Sequence, residues 1–278
     1  MIHPKTRPTA ADRDTFERDG AVCLRGVYAP DVIAALLATW DAVAADPYAS
    51  GLVPPGEEHR EVGDRANIIS RPSHGVAAFR DFIRTSPVPA LLGDLLGARE
   101  VGFYWDTVFA KDPGSPWPTT WHTDAGATAI LGNQLLNVWT PLTPVTRENS
   151  LEILAGSHKT DVLYWPRSPN GARLSRPADR PWCPDFEAER GNPAARFIAW
   201  DMEPGDVVVM HLKTAHYNRG NPTAQRRVAY ATWWYGDDVV WDPRPECEAG
   251  HPEAPFAAMP RGERPNHPLF PILWRAAD

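Results

Sequence analysis

The part of the chain after residue 99 is a succession of short stretches rich in β-branched and aromatic residues. Proline and glycine separate them, and the 30 prolines of the chain leave little room for long helices there. Many short strands with turn residues between them predict a β-sandwich or a jelly roll. The predicted strands span residues 101–110, 117–124, 134–142, 151–154, 196–200, 206–210, 213–218 and 227–235.

The first hundred residues show helical patterns instead. Thr9 to Asp12 resembles a helix-capping start, and the helix it begins is predicted to end at Gly20. A short strand is predicted at 21–24, a long loop at 47–74, and helices at about 75–85 and 87–96. Pro30 begins another predicted helix, with an apolar face made of Val32, Ile33, Leu36, Leu37, Trp40 and Val43.

These patterns predict one domain over residues 1–278, with an all-β core and flanking helices. Residues 1–98 form a mainly helical support, and residues 99–236 form the jelly-roll core. Within the core, the proline-rich stretch 160–195 has no periodicity and is too long for an ordinary connection. We therefore predict a lid or surface insertion there, and a tail that wraps the barrel over 237–278.

Charge and composition narrow the possible partners. The formal net charge is −7 and no run of basic residues occurs, so neither a nucleic-acid-binding nor an anionic-membrane-binding surface is indicated. No apolar stretch approaches the ~20 residues that span a bilayer. Three scattered cysteines argue against a disulfide framework and a zinc knuckle. With no apolar signal-peptide core near the start, these features predict a cytoplasmic protein.

The sequence Trp-His-Thr-Asp at 121–124 is a candidate metal site. Residues two apart in a strand point to the same face, so His122 and Asp124 would converge on one point. They would supply two of the three metal ligands of a 2-His-1-carboxylate triad. With 9 histidines and 21 aspartates in 278 residues, about 0.7 such pairs are expected by chance, so the pair alone indicates little.

A second segment of the chain, residues 205–227, supports the pair as part of a metal site. Gly205-Asp206 leads into an apolar strand, the following strand carries His216, and Arg227 begins the next one. A barrel can bring these positions around one axis although they are far apart in sequence. An arginine can bind a carboxylate through two parallel hydrogen bonds, in a bidentate arrangement.

Several separated motifs together resemble the phytanoyl-CoA dioxygenase family of jelly-roll oxygenases. Asn221 lies five residues and Arg227 eleven residues after His216, which are the family's spacings. The resemblance is patchy before residue 99, where 16–22 and 24–27 match the family's opening. The other matching pieces are Lys111-Asp-Pro-Gly, Trp121-His-Thr-Asp, Trp139-Thr-Pro-Leu-Thr-Pro-Val-Thr, Glu148-Asn-Ser-Leu-Glu, Gly156-Ser-His-Lys and Gly205-Asp.

The resemblance implies a cupin-like double-stranded β-helix that uses Fe(II), O₂ and the co-substrate 2-oxoglutarate to hydroxylate an unactivated C–H bond. Its implied iron ligands are His122, Asp124 and His216. Related halogenases have a small residue at the aspartate position, so the aspartate implies oxygen rather than halogen transfer. The implied co-substrate residues are Arg227 as the carboxylate anchor, with Trp139, Asn218 and Thr107 near it.

Some of these residues have rivals. His211 also lies on the second segment, although the spacing to Arg227 favours His216. Arg226 neighbours Arg227 but would face the other side of a strand. Trp139 fits a core position equally well, and Asn221, followed by proline, fits a turn.

The substrate is predicted only as a small molecule, such as a carboxylated metabolite, an amino-acid derivative or a natural-product intermediate, bound by a monomer or homodimer. Loop 47–74 and insertion 160–195 are its expected walls. Their arginines suit an acidic substrate or a solvated surface. These arginines are Arg60, Arg65, Arg71, Arg167, Arg173, Arg176 and Arg180. Two other classes stay open: a cupin-like isomerase or hydrolase without 2-oxoglutarate, and a non-catalytic jelly-roll binding protein.

Overall fold

A computed structural model describes residues 7–46, 66–167, 176–248 and 259–277. Its helices lie mainly at the N-terminal side of the chain, as the sequence predicts. They are α1 (Ala10–Asp19), α2 (Pro30–Ala45), α3 (Pro72–Gly75), α4 (Ala77–Thr85), α5 (Val88–Leu96) and α6 (Pro245–Glu248). Within the described ranges, none of them is both long and apolar enough to cross a membrane.

The predicted start and end signals of the first helix are confirmed. The Thr9 side chain accepts from the backbone of Asp12, whose carboxylate accepts from the Thr9 backbone in return. Gly20 ends the helix in the left-handed conformation, with φ 80°. In α2, Ile33, Leu36, Trp40 and Val43 are buried as predicted, but Val32 is 42% exposed and lies off the packed face.

Thirteen strands form three sheets within the described residues. The strands are β1 (Ala21–Leu24), β2 (Ala66–Ser70), β3 (Glu100–Lys111), β4 (Thr119–His122), β5 (Ile130–Leu131), β6 (Leu135–Pro141), β7 (Glu152–Leu154), β8 (Phe197–Ala199), β9 (Val207–His211), β10 (His216–Asn218), β11 (Arg227–Tyr235), β12 (Val240–Trp241) and β13 (Ile272–Arg275). The larger sheet has the order β1-β9-β6-β11-β3-β13, with β2 also on β3; the smaller has the order β4-β10-β7-β8; β12 pairs with β5. The fold is a double-stranded β-helix of the cupin kind, which confirms the predicted class.

Two hydrophobic cores lie on opposite faces of the larger sheet. One core packs the helices against residues such as Val108, Val138 and Tyr230. The other contains their strand neighbours Trp139 and Ala231 together with residues of the smaller sheet. The alternation follows from the period of two along each strand, so consecutive residues of β11 belong to different cores.

Part of the predicted long loop at 47–74 is ordered secondary structure. Residues 66–70 form β2, which pairs with β3, and α3 follows directly; residues 47–65 lie outside the described part of the chain. β2 could not be predicted because its sequence, Ala-Asn-Ile-Ile-Ser, lacks a regular alternation of apolar and polar residues. Strands also come from outside 99–236, since β1, β2 and β13 all join the larger sheet.

Candidate metal centre

Two histidines face each other across neighbouring strands of the smaller sheet. His122 ends β4, His216 begins β10, and the two residues are direct antiparallel partners. Their ring centroids are 4.0 Å apart. The pairing across strands therefore brings together two imidazoles that lie far apart in the sequence.

Asp124 completes the group, but not from a strand as predicted. β4 ends at His122, and Asp124 has helical backbone angles at the start of a single 3-10 turn over Ala125–Ala127. Its backbone N–H, like that of Ala125, donates to the Leu212 carbonyl, which fastens this turn to the end of β9. The carboxylate reaches the histidines through this turn, because a strand continued to residue 124 would place it one full pleat farther on.

The ligand atoms of the three side chains lie within 4.8 Å of one another. Asp124 Oδ1 is 3.6 Å from His122 Nε2 and 3.9 Å from His216 Nε2. Each Nδ1 lies within hydrogen-bond distance of a backbone carbonyl, Thr120 O at 2.8 Å and Thr214 O at 3.0 Å. These carbonyls accept from a protonated Nδ1 and leave both Nε2 lone pairs directed at one point.

The other carboxylate oxygen of Asp124 is already occupied. Asp124 Oδ2 accepts from Asn137 Nδ2 at 2.9 Å and from Trp233 Nε1 at 2.8 Å. Two donors fix the plane of the carboxylate and leave Oδ1 as its ligand atom. The three residues thus present two imidazole nitrogens and one carboxylate oxygen, a set that fits a 2-His-1-carboxylate metal centre.

Burial, followed by the neighbouring His216, lowers the pKa of His122 to about 4. His122 is therefore neutral at physiological pH. A neutral imidazole is the form that binds a metal, so the electrostatics of the pocket agree with its geometry.

The turn that carries Asp124 is held from outside by the insertion. Arg180, 1% exposed, donates from Nη1 to the Gly126 carbonyl at 2.9 Å. Its other terminal nitrogen lies 4.0 Å from Asp242, near the C-terminal end of the chain. Gly126 is packed so tightly that a Cβ there would lie 1.8 Å from the Tyr164 carbonyl oxygen. Segments from two distant parts of the chain therefore close over the ligand turn.

Two buried basic side chains lie on neighbouring strands, and one of them shares a cavity with the three candidate metal ligands. Arg227 and Lys111 are direct partners on β11 and β3, and they are only 3% and 2% exposed. Arg227 lines a cavity that also contains His122, Asp124 and His216. Burial lowers the pKa of Arg227 to about 10; burial and then the charge of Arg227 lower the pKa of Lys111 to about 6.

Neither cation has a carboxylate partner among residues 7–46, 66–167, 176–248 and 259–277. Arg227 donates from Nη1 to the Asn149 carbonyl at 3.3 Å, and its buried Nε has no hydrogen-bond partner. Lys111 Nζ donates to Asn218 Oδ1 at 2.8 Å and to Thr119 Oγ1 at 3.3 Å. The lowered pKa leaves Lys111 mostly neutral above pH 6, but Arg227 stays charged. A buried positive charge without a counter-ion is costly, and an anion in the cavity would offset that cost.

The other three residues predicted near a co-substrate have different surroundings. Trp139 lines the same cavity, with the Arg227 guanidinium 5.9 Å from its ring centroid. Asn218 lines it too, but its amide is engaged by Lys111 on one side and by the Asn149 and Ser150 carbonyls on the other. That contact set assigns Asn218 to holding Lys111.

Thr107 does not line the cavity. It is buried on β3 opposite Ala231, and its hydroxyl accepts from Trp105 Nε1 at 3.0 Å. The structure therefore places Thr107 behind Trp105, where it fixes the orientation of that indole.

The rivals named from the sequence lie elsewhere. His211 Nδ1 accepts from the Lys213 backbone. Its ring lies near His158 and not in the tripod formed by His122, Asp124 and His216. Arg226 forms an ion pair with Asp41 on the outside of the sheet. Asn221 donates to three backbone carbonyls and shapes the turn before β11.

The sequence reasoning missed three residues: Lys111, Asn137 and Trp233. Lys111 was noted within a motif, but only its pairing with Arg227 shows that it adds a second charge. Asn137 and Trp233 are direct partners on β6 and β11, so their shared approach to Asp124 arises from strand register. Period-two alternation from Arg227 to Trp233 was the one available signal.

Comparison with known proteins identifies relatives of this fold. Residues 16–229 match the family model described as phytanoyl-CoA dioxygenase. No curated protein sequence matches the chain.

Three solved structures are similar in fold. The non-heme, alpha-ketoglutarate-dependent carbocyclase SnoK from nogalamycin biosynthesis has a TM-score of 0.72 at 19% identity, covering 97% of this chain and 99% of that one. The epimerase SnoN in complex with Fe3+, alpha ketoglutarate and nogalamycin RO has a TM-score of 0.72 at 20% identity, covering 95% and 98%. EctD from S. alaskensis with 2-oxoglutarate and 5-hydroxyectoine has a TM-score of 0.68 at 19% identity, covering 95% and 88%.

Proposed function

This chain belongs to the phytanoyl-CoA dioxygenase family, and we propose that it is an Fe(II)- and 2-oxoglutarate-dependent dioxygenase that hydroxylates an unactivated C–H bond of a small molecule. The observation that carries the proposal is one cavity that contains both a metal-binding tripod and a buried arginine without a carboxylate partner among the described residues. A metal alone would explain the tripod. Only an anion bound beside the metal explains the cations as well.

The iron ligands in this proposal are His122, Asp124 and His216. These three side chains would hold the iron from one side, which would leave its other side accessible to the co-substrate and O₂. When bound, iron with 2-oxoglutarate and O₂ supplies the oxidant, while the chain holds, orients and shields the reacting groups. Asn137 and Trp233 keep Asp124 in place by binding the oxygen that the metal does not use.

The far carboxylate of 2-oxoglutarate is assigned to Arg227, with Lys111 as a second positive charge. The unpartnered Arg227 Nε supports this assignment, because a carboxylate can accept from two guanidinium nitrogens at once. Asn218 holds the Lys111 amine, and the Trp139 ring lies against the guanidinium. Aromatic and apolar walls exclude water and strengthen these charge interactions.

The aspartate at position 124 favours oxygen transfer over halogen transfer. Its carboxylate is directed at the tripod centre by two hydrogen bonds, so a halide would have to displace a fixed ligand. SnoK and SnoN are described as a carbocyclase and an epimerase. Product analysis by mass spectrometry therefore checks whether substrate gains one oxygen, as hydroxylation requires.

Anaerobic titration tests the proposal directly. Fe(II) and 2-oxoglutarate added together should give a visible metal-to-ligand charge-transfer band that neither gives alone. A screen of small carboxylated metabolites for stimulated succinate release then identifies substrates. A protein that binds Fe(II) but gives no band with 2-oxoglutarate would instead be a cupin-like metal enzyme of another class; one that binds neither would be a binding protein.

Binding of 2-oxoglutarate should weaken as pH rises above about 6. The pKa of Lys111 is about 6 without an anion, and a bound carboxylate raises it because it favours the charged amine. Binding in the window above 6 therefore takes up a proton, and affinity falls by up to about tenfold per pH unit. Calorimetry at pH 6, 7 and 8 in buffers of different ionisation enthalpy measures this uptake. Lys111→Met should remove the slope, and an unchanged slope would contradict the assignment.

Replacing Trp233 by phenylalanine should weaken Fe(II) binding roughly tenfold, because Asp124 loses one of its two donors. Trp234→Phe is the matched control: the neighbouring indole faces the helix-side core and donates to Thr232. Competition with a chromogenic chelator measures affinity, and thermal unfolding measures stability. Equal Fe(II) affinities in the two variants would show that the Trp233 contact does not position the ligand.

A further inference from the structure

A cavity of about 400 Å³, which we call the α4 cavity, lies between α4 and the C-terminal segment 268–273. Its volume is within the ~300–1,000 Å³ of small-molecule sites. Two of its lining residues, Ile83 and Phe103, belong to the helix-side core. The cavity of the metal ligands is lined instead by Trp139 and Ala231 of the other core. The larger sheet therefore separates the two cavities.

The spacing of residues along α4 places two arginines on the side of this cavity. Arg80, Ile83 and Arg84 line it, and residues three and four apart share one face of a helix. Asp81 and Phe82 lie on the opposite face of α4, where they line a different groove against α2. The acid nearest to the two arginines in sequence therefore lies on the other side of the helix.

Neither Arg80 nor Arg84 forms an ion pair with a carboxylate in the part of the chain that the structure describes. Arg80 is half-buried and Arg84 is exposed. Two like charges four residues apart on a helix repel each other. An anion between the two guanidinium groups would offset this repulsion and can accept hydrogen bonds from both.

The C-terminal segment supplies an apolar wall of the α4 cavity. Leu269 and Leu273 line it, and both side chains are only half-buried. The segment is fixed to the sheet, because β13 pairs with β3 and the Phe103 N–H donates to the Pro271 carbonyl at 3.0 Å. An apolar group in the cavity would remove further leucine surface from water, which is favourable.

The polar residues of α3 do not change the sign of the charge in this cavity. The Ser73 hydroxyl and backbone N–H both donate to the Asp106 carboxylate, at 2.9 and 3.0 Å. His74 adds a third basic side chain, and none of the described lining residues is acidic. In a chain with a formal net charge of −7, this is a basic site with apolar walls.

We propose that the α4 cavity binds an organic anion that carries an apolar chain, such as a fatty-acid carboxylate. The anionic group contacts Arg80 and Arg84, and the chain packs on Ile83, Leu269 and Leu273. A small hydrophilic anion would leave the apolar walls exposed to water, and an uncharged chain would leave the arginines without a counter-ion. The site depends on neither iron nor 2-oxoglutarate.

Calorimetric titration with octanoate, octanamide and acetate tests the proposal. Octanoate, kept below the concentration at which it forms micelles, should bind at least about tenfold more tightly than octanamide, which lacks the charge, or acetate, which lacks the chain. Arg80→Gln and Arg84→Gln should each weaken octanoate about threefold, and the double variant should bind octanoate no more tightly than octanamide. Arg99→Gln removes an exposed charge outside the cavity and should change neither affinity.

Folding of the arginine variants is checked by thermal unfolding. Their midpoints should stay unchanged or rise slightly, because each substitution removes a like-charge repulsion on α4. Equal affinities of the unaltered protein for octanoate and octanamide would overturn the proposal, as would unaltered octanoate affinity in the double variant.

Arg227→Met distinguishes this site from the cavity of the metal ligands. Octanoate affinity should be unchanged in that variant, because Arg227 lines the other cavity. Loss of octanoate binding in Arg227→Met, but not in the α4 variants, would place the ligand beside the metal ligands and overturn the proposal. Sedimentation tests a second copy of the chain as the occupant: self-association that the α4 double variant abolishes would overturn the small-molecule assignment.

Discussion

His216→Ala should lower 2-oxoglutarate turnover roughly 1,000-fold or more, the largest loss that we expect from any single substitution. The residue supplies one of three metal-directed atoms, and its Nε2 is oriented by the hydrogen bond between Nδ1 and the Thr214 carbonyl. Alanine leaves two ligands, which cannot hold iron in the geometry that the reaction needs. Succinate release and Fe(II) affinity are measured together, because both should fall.

His211→Gln is the matched control for this loss. His211 is also a buried histidine near the end of a strand, but it lies beside His158 and outside the tripod. The glutamine side-chain oxygen can accept a hydrogen bond from the Lys213 backbone, as Nδ1 of the imidazole does. Fe(II) affinity should therefore be unchanged in this variant. Succinate release that survives in the double variant Asp124→Ala, His216→Ala would show that the metal ligands are other residues.

Arg227→Met should raise the KM for 2-oxoglutarate roughly 100-fold, with a much smaller effect on kcat once the co-substrate is saturating. Methionine fills similar space but offers no charge and no donor to the carboxylate, and loss of a buried charge partner costs about 3 kcal/mol. The position is 3% exposed, so water cannot replace the lost contact. Steady-state kinetics across 2-oxoglutarate concentrations separate the two constants.

Arg226→Gln provides the comparison for the adjacent charge. Arg226 pairs with Asp41 on the outer surface, and an exposed pair of this kind contributes about 1 kcal/mol or less. Its KM for 2-oxoglutarate should match that of the unaltered protein. If Arg227→Met left the KM unchanged while lowering kcat, the arginine would serve the reaction in some way other than holding the co-substrate.

Local signals were sufficient for several parts of the fold. Thr9 and Gly20 delimit α1 because capping depends on residues only a few positions apart. The choice of His216 over His211 depended on its spacing to Arg227, and the structure brings His216, not His211, to His122 and Asp124. The same spacing predicted Arg227 as a site residue, and Arg227 lines the cavity that contains these three side chains.

The remaining parts depended on contacts between distant strands. Asp124 was predicted in the strand of His122, but the chain turns first because its backbone is fastened to Leu212. Lys111 became significant only when β3 and β11 paired it with Arg227. A bulge on β3 adds Tyr104 between the partners of Trp233 and Trp234, and the nearby Gly102 does not by itself show where the extra residue falls. No local pattern encodes such cross-strand neighbours.

The Arg180 contact has a consequence for when the protein acquires iron. The turn that carries Asp124 is clamped by Arg180, which in turn lies beside Asp242, well beyond the last metal ligand, His216. During synthesis, Arg180 is made before His216 and Asp242 after it, so all three candidate ligands are in the nascent chain before the contact between Arg180 and Asp242 can form. Ribosome-bound chains stopped shortly after His216 lack that contact, and they should exchange iron faster than the released protein.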